Sequence, residues 1–551
     1  MSRAFKTVDY EATLDLTIRL GDCVPPNHLA RFVVDTIAHL DLSAIYARYG
    51  ARGGQPYAPE ILFGLLFYGY ATGVFSSRKL ERATFESAPF RFIAGNLHPD
   101  HDTLAAFRKT FLPALQDLFV QVLLLAQGAG VLKLGAISLD GTKIHADASK
   151  SHAVSYQRLR SLEAHLRAEV AELFALSERT DQRDVPDGMV VSQEIALRHA
   201  RLARLAEAHT VLEARAKDRD VVEQAAYEAT LQAREAKARL TGRTPRGRPP
   251  TPPTPGPRAT DQYNFTDPAS RIMKNSTNQG FDQHYNAQVA VDQASLLIVG
   301  ESLSHHPNDQ AEAEPTLDSL PPEMGTPAAA ALDAGYFSAA TIALFERRNI
   351  APYIATGRDP HHPSWRERCA ASPPSPPDDA SPQVTMAYKL KTAIGKAIYS
   401  ARKYTVEPVL GIIKEVLGFR QCSLRGAPAA AGEWCLVCVA FHLKRFHPLL
   451  QGELHLRAEA ETVLVTRGCL LADAPTGPAA RRRGCACDNR QRAVIGCEDR
   501  QQHKAGTRRH VPPWPVLSDR LLGHRSARGV ERGEGPMAMR GTRLAIAVTT
   551  S

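Results

Sequence analysis

Cysteine is scarce in this 551-residue chain: nine residues, thinly spread, with CLVC (435–438) and CAC (485–487) the only close pairs. An odd, dispersed set excludes a disulfide framework. No second pair stands at a zinc-site spacing from CLVC, whose apolar flanks read as a buried strand. Long hydrophobic runs are missing too. The longest, ILFGLLFYGYATGVF (61–75) and LFVQVLLLAQGAGVL (118–132), fall short of the roughly 18 to 20 residues that a membrane span requires, so both read as buried helices. Residues 1–19 hold no apolar core followed by a small-residue cleavage site, so they do not read as a secretory signal, and a cytoplasmic protein without a membrane partner is expected. Charge of one sign is not extreme either. A net +9 suits a phosphate-rich partner without requiring one.

What is present is the composition of a globular protein, 44% hydrophobic and 23% charged, at a length that suggests roughly three or four units. Residues 1–130 read as an all-helical N-terminal domain. Leu29, Phe32, Val33, Ile37 and Leu40 stand at helical spacing behind Asn27 as a cap. PEILFGLLFYGYATGV is apolar all round and should be a central helix. Leu104, Phe107, Phe111, Leu115, Phe119 and Leu123 form one stripe, with Asp102 or Thr103 as capping candidates. Between these helices lie Arg78, Lys79, Arg82 and Arg91, which are either a solvated helix face or a surface for a phosphate backbone.

Residues 131–155 and 263–450 carry strand signals, and residues 156–262 interrupt them. Within the interruption, Leu159, Leu162, Leu166, Val170, Leu173 and Leu176 make an amphipathic seam. After a polar break at 177–188, a second run through Ile195, Leu202, Leu205 and Leu212 can pair with it as an antiparallel hairpin, and a third run is expected from Asp218 to Leu240. A proline-rich basic linker (241–262) closes this helical insertion. LGAISLDGTKI (134–144) reads as a short strand ending at Asp140-Gly141, and residues 284–304 as two strands around a turn at Asp292 to Ser295. AAAALDAGY (328–336) and APYIAT (351–356) read as further strands flanking a helix. The order implies an α/β fold with a mixed sheet.

In VEPVLGIIKEVLGF, residues Val409, Ile412, Ile413, Val416 and Leu417 fit one buried stripe, while Glu407, Gly411, Lys414 and Gly418 fall opposite, with Pro408 suited to the first helical position. Two glycines on that exposed side suggest close approach by a ligand. Asp140 and Asp333 at strand ends and Glu407 at a helix start are each weak signals, since Asp-Gly is above all a turn dipeptide. Together they suit Mg²⁺, a hard cation held by a few carboxylates and substrate phosphate oxygens. Two such ions about 3.5 to 4 Å apart can serve in-line displacement at phosphorus. Asp147 and Asp292 stay open as further carboxylates.

The chain resembles the DDE transposases of bacterial insertion sequences, in the subgroup with a helical N-terminal domain and a catalytic domain split by a helical insertion. The resemblance lies in LDGTKIHADAS (139–149), NFTDPASRIMK (264–274), YNAQVAVD (285–292), LDAGYFS (332–338) and YSARKYTVEPVLGIIKEVLGFRQCSLRG (399–426), and continues through EWCLVCVAFHLKRF (433–446). It implies a ribonuclease-H-like fold in which Asp140, Asp333 and Glu407 are the catalytic residues and the ligands of two Mg²⁺ ions, with Mn²⁺ able to substitute. Tyr399, Arg402, Glu407 and Lys414 match the family's Tyr-Arg-Glu-Lys signature, so Tyr399, Arg402 and Lys414, with Arg78, Lys79 and Arg82 of the N-terminal domain, are the expected DNA contacts. The implied partners are double-stranded DNA, as terminal inverted repeats and as target, and a second copy of the chain in a homodimer or higher assembly on DNA. NFTDPASRIMK reads as a turn followed by a basic helix start that brings Arg271 and Lys274 to DNA.

Residues 451–551 fall outside the resemblance. They mix arginine, glycine, cysteine and proline without a sustained period, as out-of-frame sequence or as a basic arm. Two alternatives to an active transposase follow: a remnant that binds element ends without cutting them, and a host nuclease of the same fold.

Overall fold

The computed structural model describes residues 19–50, 55–178, 190–243, 247–274, 280–357, 375–377 and 379–472. The chain divides into two units, Met1–Arg467 and Gly468–Ser551. Everything below concerns the first, and most of the tail lies outside the described residues.

Among the described residues, seven α-helices come first: α1 (Leu29–Ala38), α2 (Ser43–Tyr46), α3 (Pro59–Ala71), α4 (Ser77–Glu86), α5 (Ala88–Ile93), α6 (His101–Phe111) and α7 (Leu115–Gly128). As its all-round apolarity implies, α3 is central: from Leu62 to Ala71 every side is buried. The stripe from Leu104 to Leu123 is buried as well. Both cap assignments move by a residue or two. His28, not Asn27, accepts from the Ala30 N–H, and Asp100, not Asp102 or Thr103, accepts from Thr103. The stretch His101–Gly128 is long and apolar enough by composition to cross a membrane. However, Pro113 breaks it at the turn Leu112–Ala114, and the buried Arg108 sits within it, both marks of a core helix pair.

Eight strands follow among the described residues. A six-stranded mixed sheet is built on β5 (Phe281–Asp292), whose one edge pairs antiparallel with β1 (Ala136–His145) and whose other takes β4 (Arg271–Lys274) and β6 (Ile298–Ser304). β7 (Ala329–Leu332) and β8 (Ala351–Ile354) extend it in parallel beyond β1. The turn at Asp292–Ser295 falls where the sequence placed it: Asp292 accepts from both the Ser295 N–H and its hydroxyl. Residues 271–274 form the strand β4 rather than a helix start, because Ile272 and Met273 alternate onto the open edge of β5.

β2 (Ala153–Ser155) and β3 (Gln262–Asn264) pair where the chain leaves and re-enters the sheet region. Between them α8 (Tyr156–Glu178) packs on α9 (Val191–Thr241) through Leu159, Leu166, Leu205 and Leu212. The second and third helical runs are one helix of 51 residues, since no proline or glycine stands between them. Ser177 and Glu178 of the polar break close α8, and the rest of the break lies outside the described residues.

After α10 (Ala313–Asp318) and α11 (Ala339–Arg347), the chain continues through α12 (Pro382–Lys391), α13 (Ala393–Ser400), α14 (Val406–Gly411) and α15 (Ala427–Ala472). CLVC lies within α15, not in a strand, with Cys435 and Cys438 buried. A continuous apolar run does not distinguish a buried strand from a helix buried on all sides. Here the stretch Glu433 to Leu443 of α15 is the second kind. Toward the sheet, Trp434 donates to the Gln288 carbonyl at 3.3 Å and His442 meets the Ile298 carbonyl at 2.7 Å. Toward the N-terminal helices, Glu433 accepts from Tyr70 at 2.8 Å and Phe446 meets Phe32 edge-on.

Candidate active site

The parallel register of β1 and β7 places Leu139 opposite Leu332, so the residues that follow stand beside each other, Asp140 within β1 and Asp333 just past the end of β7. β1 does not end at Asp140. It runs on to His145 against β5, with Asp140 opposite Val289, because β5 extends far enough to satisfy its backbone. The following glycine is needed for room rather than for a turn. A Cβ on Gly141 would lie 2.2 Å from Gln288 Nε2 and 2.8 Å from Asp309 Oδ1.

Arg402, on the short 3₁₀ turn Ala401–Tyr404, joins the two acids. One of its terminal nitrogens lies 2.8 Å from Asp140 Oδ2 and the other 3.5 Å from Asp333 Oδ1. The Arg402 side chain is 8% exposed. Burial opposes its charge, but Asp140 and Asp333 more than restore it and hold its pKa above the ordinary value. Burial also drives the Asp140 carboxyl up to about 6, against the opposing pull of Arg402 and of the Gly141 N–H, with Asp333 and Asp309 adding to the rise. The ring of Tyr399 sits 5.8 Å from the guanidinium carbon.

Asp309 escaped the sequence reading. It accepts from Asn286 and Gln288, each at 2.8 Å, and Gln288 in turn takes the Tyr336 hydroxyl. The two small residues flanking it are Gly141 and Gly335, one after Asp140 and two after Asp333. Those glycines were the available signal. They read as turn residues, yet Gly141 leaves space for this third carboxylate and Gly335 lies in contact distance of it.

Glu407 enters from a different element. Its helix α14 packs on β1, where Thr405 and Ser138 share a hydrogen bond at 3.0 Å. Val406 is the first helical residue, so Glu407 takes the second position and Pro408 the third. Glu407 is exposed, and among the described residues its carboxylate makes no hydrogen bond or ion pair. The helix then widens into a π-turn over Ile412–Val416, closed by the Leu417 N–H on the Ile412 carbonyl. That extra residue per turn shifts the phase of the predicted stripe beyond it: Val416 is 64% exposed. Lys414 lies inside the π-turn, half-buried. Burial first and Arg420 second pull its pKa down, with Glu415 opposing. Gly418 has φ +79 and terminates the helix, whereas Gly411 is helical at φ −61 with open space around it.

The basic residues Arg78, Lys79 and Arg82 line the exposed side of α4, and Arg82 pairs with Glu86 at 2.7 Å. The turn before α4 touches the end of the π-turn. Gly73, at φ +84, comes so close to the Leu417 carbonyl that a Cβ would lie 2.9 Å from it, and Phe75 meets Phe419 edge-on. Asp147 pairs with Arg425 and Asp292 serves its turn, so neither joins the acids around Arg402.

The structure therefore gathers Asp140, Asp333, Arg402 and Tyr399, with Asp309 alongside, and leaves Glu407 on the adjoining helix. Among the described residues no three His, Cys, Asp or Glu side chains are gathered as a ready metal cluster. The Asp140 and Asp333 pair does fit a cation. Both offer hard oxygen donors, and a guanidinium already bridges them.

Residues 18–110 match a family described as Transposase domain (DUF772), and residues 377–447 match one described as Transposase DDE domain. Comparison with curated proteins and with solved structures returned no match. The first match covers the helices through α6, and the second spans Tyr399, Arg402, Glu407 and Lys414. Both matched families are transposase families, and together they support a DDE transposase of the insertion-sequence type.

Proposed function

We propose that this chain cleaves and joins DNA strands at the ends of an insertion sequence by metal-dependent phosphoryl transfer on a ribonuclease-H-like domain. The observation that carries the reading is the shared guanidinium of Arg402. Two acids nearly 200 positions apart in the chain, Asp140 and Asp333, meet one buried cation supplied by the segment that matches the DDE domain. In this reading Asp140 and Asp333 hold a divalent ion, Mg²⁺ or Mn²⁺, and Glu407, from the helix against β1, completes a set for two. Bound ions would supply activation of the attacking oxygen and stabilisation of the leaving one.

The chain's own residues supply the rest. Arg402 offsets both carboxylates, so that the site does not repel a polyanionic strand. Tyr399 flanks it, and Lys414, half-buried beside open backbone at Gly411, can meet a phosphate at close range. Arg78, Lys79 and Arg82 extend the positive surface from the N-terminal helices, whose connecting turn abuts the far end of the π-turn. Double-stranded DNA of the element ends and target are the substrates, and a second copy of the chain is the expected partner on it.

The test is Mg²⁺-dependent cleavage of DNA carrying the gene's flanking repeats, by the wild-type chain and by Asp333→Ala. Cutting at the repeat boundary, lost in the variant, supports the reading. Repeat binding without cutting by either identifies a binding remnant, cutting without preference for the repeats identifies a nuclease, and cutting that survives Asp333→Ala removes the carboxylate assignment.

A further inference from the structure

The motif NFTDPASRIMK, which the active-site geometry does not use, forms one wall of a cavity of about 730 Å³ between α9 of the insertion and the sheet. Asn264 and Asp267 shape its loop. The Asn264 side-chain oxygen accepts from the N–H groups of Thr266 and Asp267, and the buried Asp267 accepts from Ala269 N–H, Gly426 N–H and the Tyr285 hydroxyl. With its inner groups tied down, the loop turns the carbonyls of Pro268, Ala269 and Ser270 toward the Arg271 guanidinium, at 3.1, 2.9 and 2.9 Å. Arg215 of α9 reaches the same Pro268 carbonyl and that of Gln262.

Two guanidiniums thus converge on one cavity, and their hydrogen bonds go to carbonyls rather than carboxylates. Among the described residues neither has an acid within ion-pair distance, whereas Arg219 on the same wall is held by both oxygens of Asp261 at 2.9 Å. Asp267 offsets part of the charge from behind the loop. Arg219 Nε, buried and without a partner, is a further donor on that wall. Burial lowers the Arg271 pKa to about 10, and Arg215 is the next cause; burial and then Arg271 take His305, at the rim, down to about 4. Asp218, Glu223 and Asp261 also line the cavity, but Asp261 is taken by Arg219 and Glu223 by Arg258, so like charges held this close in a partly desolvated cleft call for an external anion.

We infer that this cavity is a phosphate site, with Arg215 and Arg271 as its charged arms, that grips a backbone phosphate of the DNA strand outside the catalytic carboxylates. The inference rests on the DNA reading above for the source of the phosphate, not for the site itself. It also gives the insertion a task, since α9 supplies one arm and the strand β4 the other.

The experiment uses the full chain, as wild type, Arg215→Gln and Arg215→Lys, with two readouts. One is the thermal midpoint in inorganic phosphate against chloride at equal ionic strength. The other is duplex DNA affinity by fluorescence anisotropy across a salt series. The site predicts that phosphate raises the wild-type midpoint and not that of Arg215→Gln. It further predicts that Arg215→Gln loses on the order of tenfold in DNA affinity with a salt slope smaller by about one, which Arg215→Lys restores. A wild-type midpoint indifferent to phosphate overturns the site, even if Arg215→Gln fails to fold. Phosphate protection lost in Arg215→Gln with an unchanged DNA slope overturns the DNA source and leaves a site for free phosphate. A wild type that binds no DNA but keeps Arg215-dependent phosphate protection removes the transposition reading while the site stands.

Discussion

Arg402 sets its guanidinium 2.8 Å from the Asp140 carboxylate, almost out of reach of water. A pair this buried costs desolvation on both sides, and its value shows when one partner is removed. Arg402→Gln leaves Asp140 in the low-dielectric pocket that already raises its pKa to about 6. The expected loss at pH 7 is on the order of 3 kcal/mol. Without Arg402 the Asp140 pKa climbs further, so protonation relieves the charge at lower pH and the penalty relative to wild type shrinks at pH 5. Unfolding midpoints of both chains at the two pH values check this. Equal losses at both would mean that the pair contributes packing and not charge.

Gly141→Ala distinguishes two explanations of Asp-Gly in this chain. As a turn residue without special φ, Gly141 would tolerate a methyl group. In the strand, that methyl would press on Gln288 and Asp309, and overpacking of this kind costs about 1 to 3 kcal/mol. Because Gln288 holds Asp309 and the Tyr336 hydroxyl, the variant should lose stability and divalent-ion binding together. A thermal melt and calorimetric Mn²⁺ titration of the same sample would show it; an unperturbed melt contradicts the packing argument.

Gly411 offers the opposite case. It is helical, and a Cβ added there would meet nothing within 4 Å, so Gly411→Ala should stabilise the free chain by roughly 0.5 to 1 kcal/mol. If bare backbone there admits a DNA strand, the same variant binds DNA more weakly. A higher melting midpoint with unchanged DNA affinity would leave Gly411 without a ligand role.

These contrasts show what the sequence could and could not convey. The relation of Asp140 to Asp333 was legible, because both follow apolar strands and parallel register turns equal position into proximity. The extent of β1 was not. A strand's end depends on its partner's length, and nothing within LDGTKIH reveals that β5 continues to pair. The Glu407 face was half legible: the periodicity found the helix, but a π-turn adds a residue that 100° steps cannot anticipate, so Val416 emerged. CLVC misled for a related reason, since a helix between a sheet and a helical bundle has no polar side to give it a period. Asp309 was hidden because its evidence was steric and lay in the glycines beside other acids.

The seam between the N-terminal helices and the six-stranded sheet depends on a buried polar junction. Glu433, fully buried, accepts from Tyr70, from the Ser423 N–H and hydroxyl, and from the Leu424 N–H; Tyr70 in turn accepts from Arg108 at 2.8 Å. Tyr70→Phe removes a donor from Glu433 and an acceptor from Arg108 at once, with an expected loss of about 1 to 3 kcal/mol. Glu433→Gln should cost more, because an amide places donors opposite donors. Chemical unfolding of the two variants gives the order, and a smaller loss in Glu433→Gln would show that the junction does not need the anion.

Two buried groups on the sheet side of α15 should impose opposing pH dependences. Burial drives the His442 pKa down to about 4, while the Ile298 carbonyl favours its N–H. The folded protein therefore binds its proton less readily than the unfolded chain, so stability falls as pH drops from the ordinary value near 6.5 toward 4. Burial lifts Glu301 to about 7. Here the folded state holds the proton more tightly, so its contribution is complete below 4.5 and is lost as pH rises toward 7. At roughly 1.4 kcal/mol per pH unit, each group commands on the order of 3 kcal/mol across its window. Between 4.5 and 6.5 the two slopes oppose each other and largely cancel. Replacement separates them: Glu301→Gln should leave a chain whose stability climbs from pH 4.5 to 6.5, and His442→Gln one whose stability declines over the same range. Melting midpoints measured at half-unit pH intervals decide it, and parallel profiles for the two variants would mean that neither group titrates while the seam is closed.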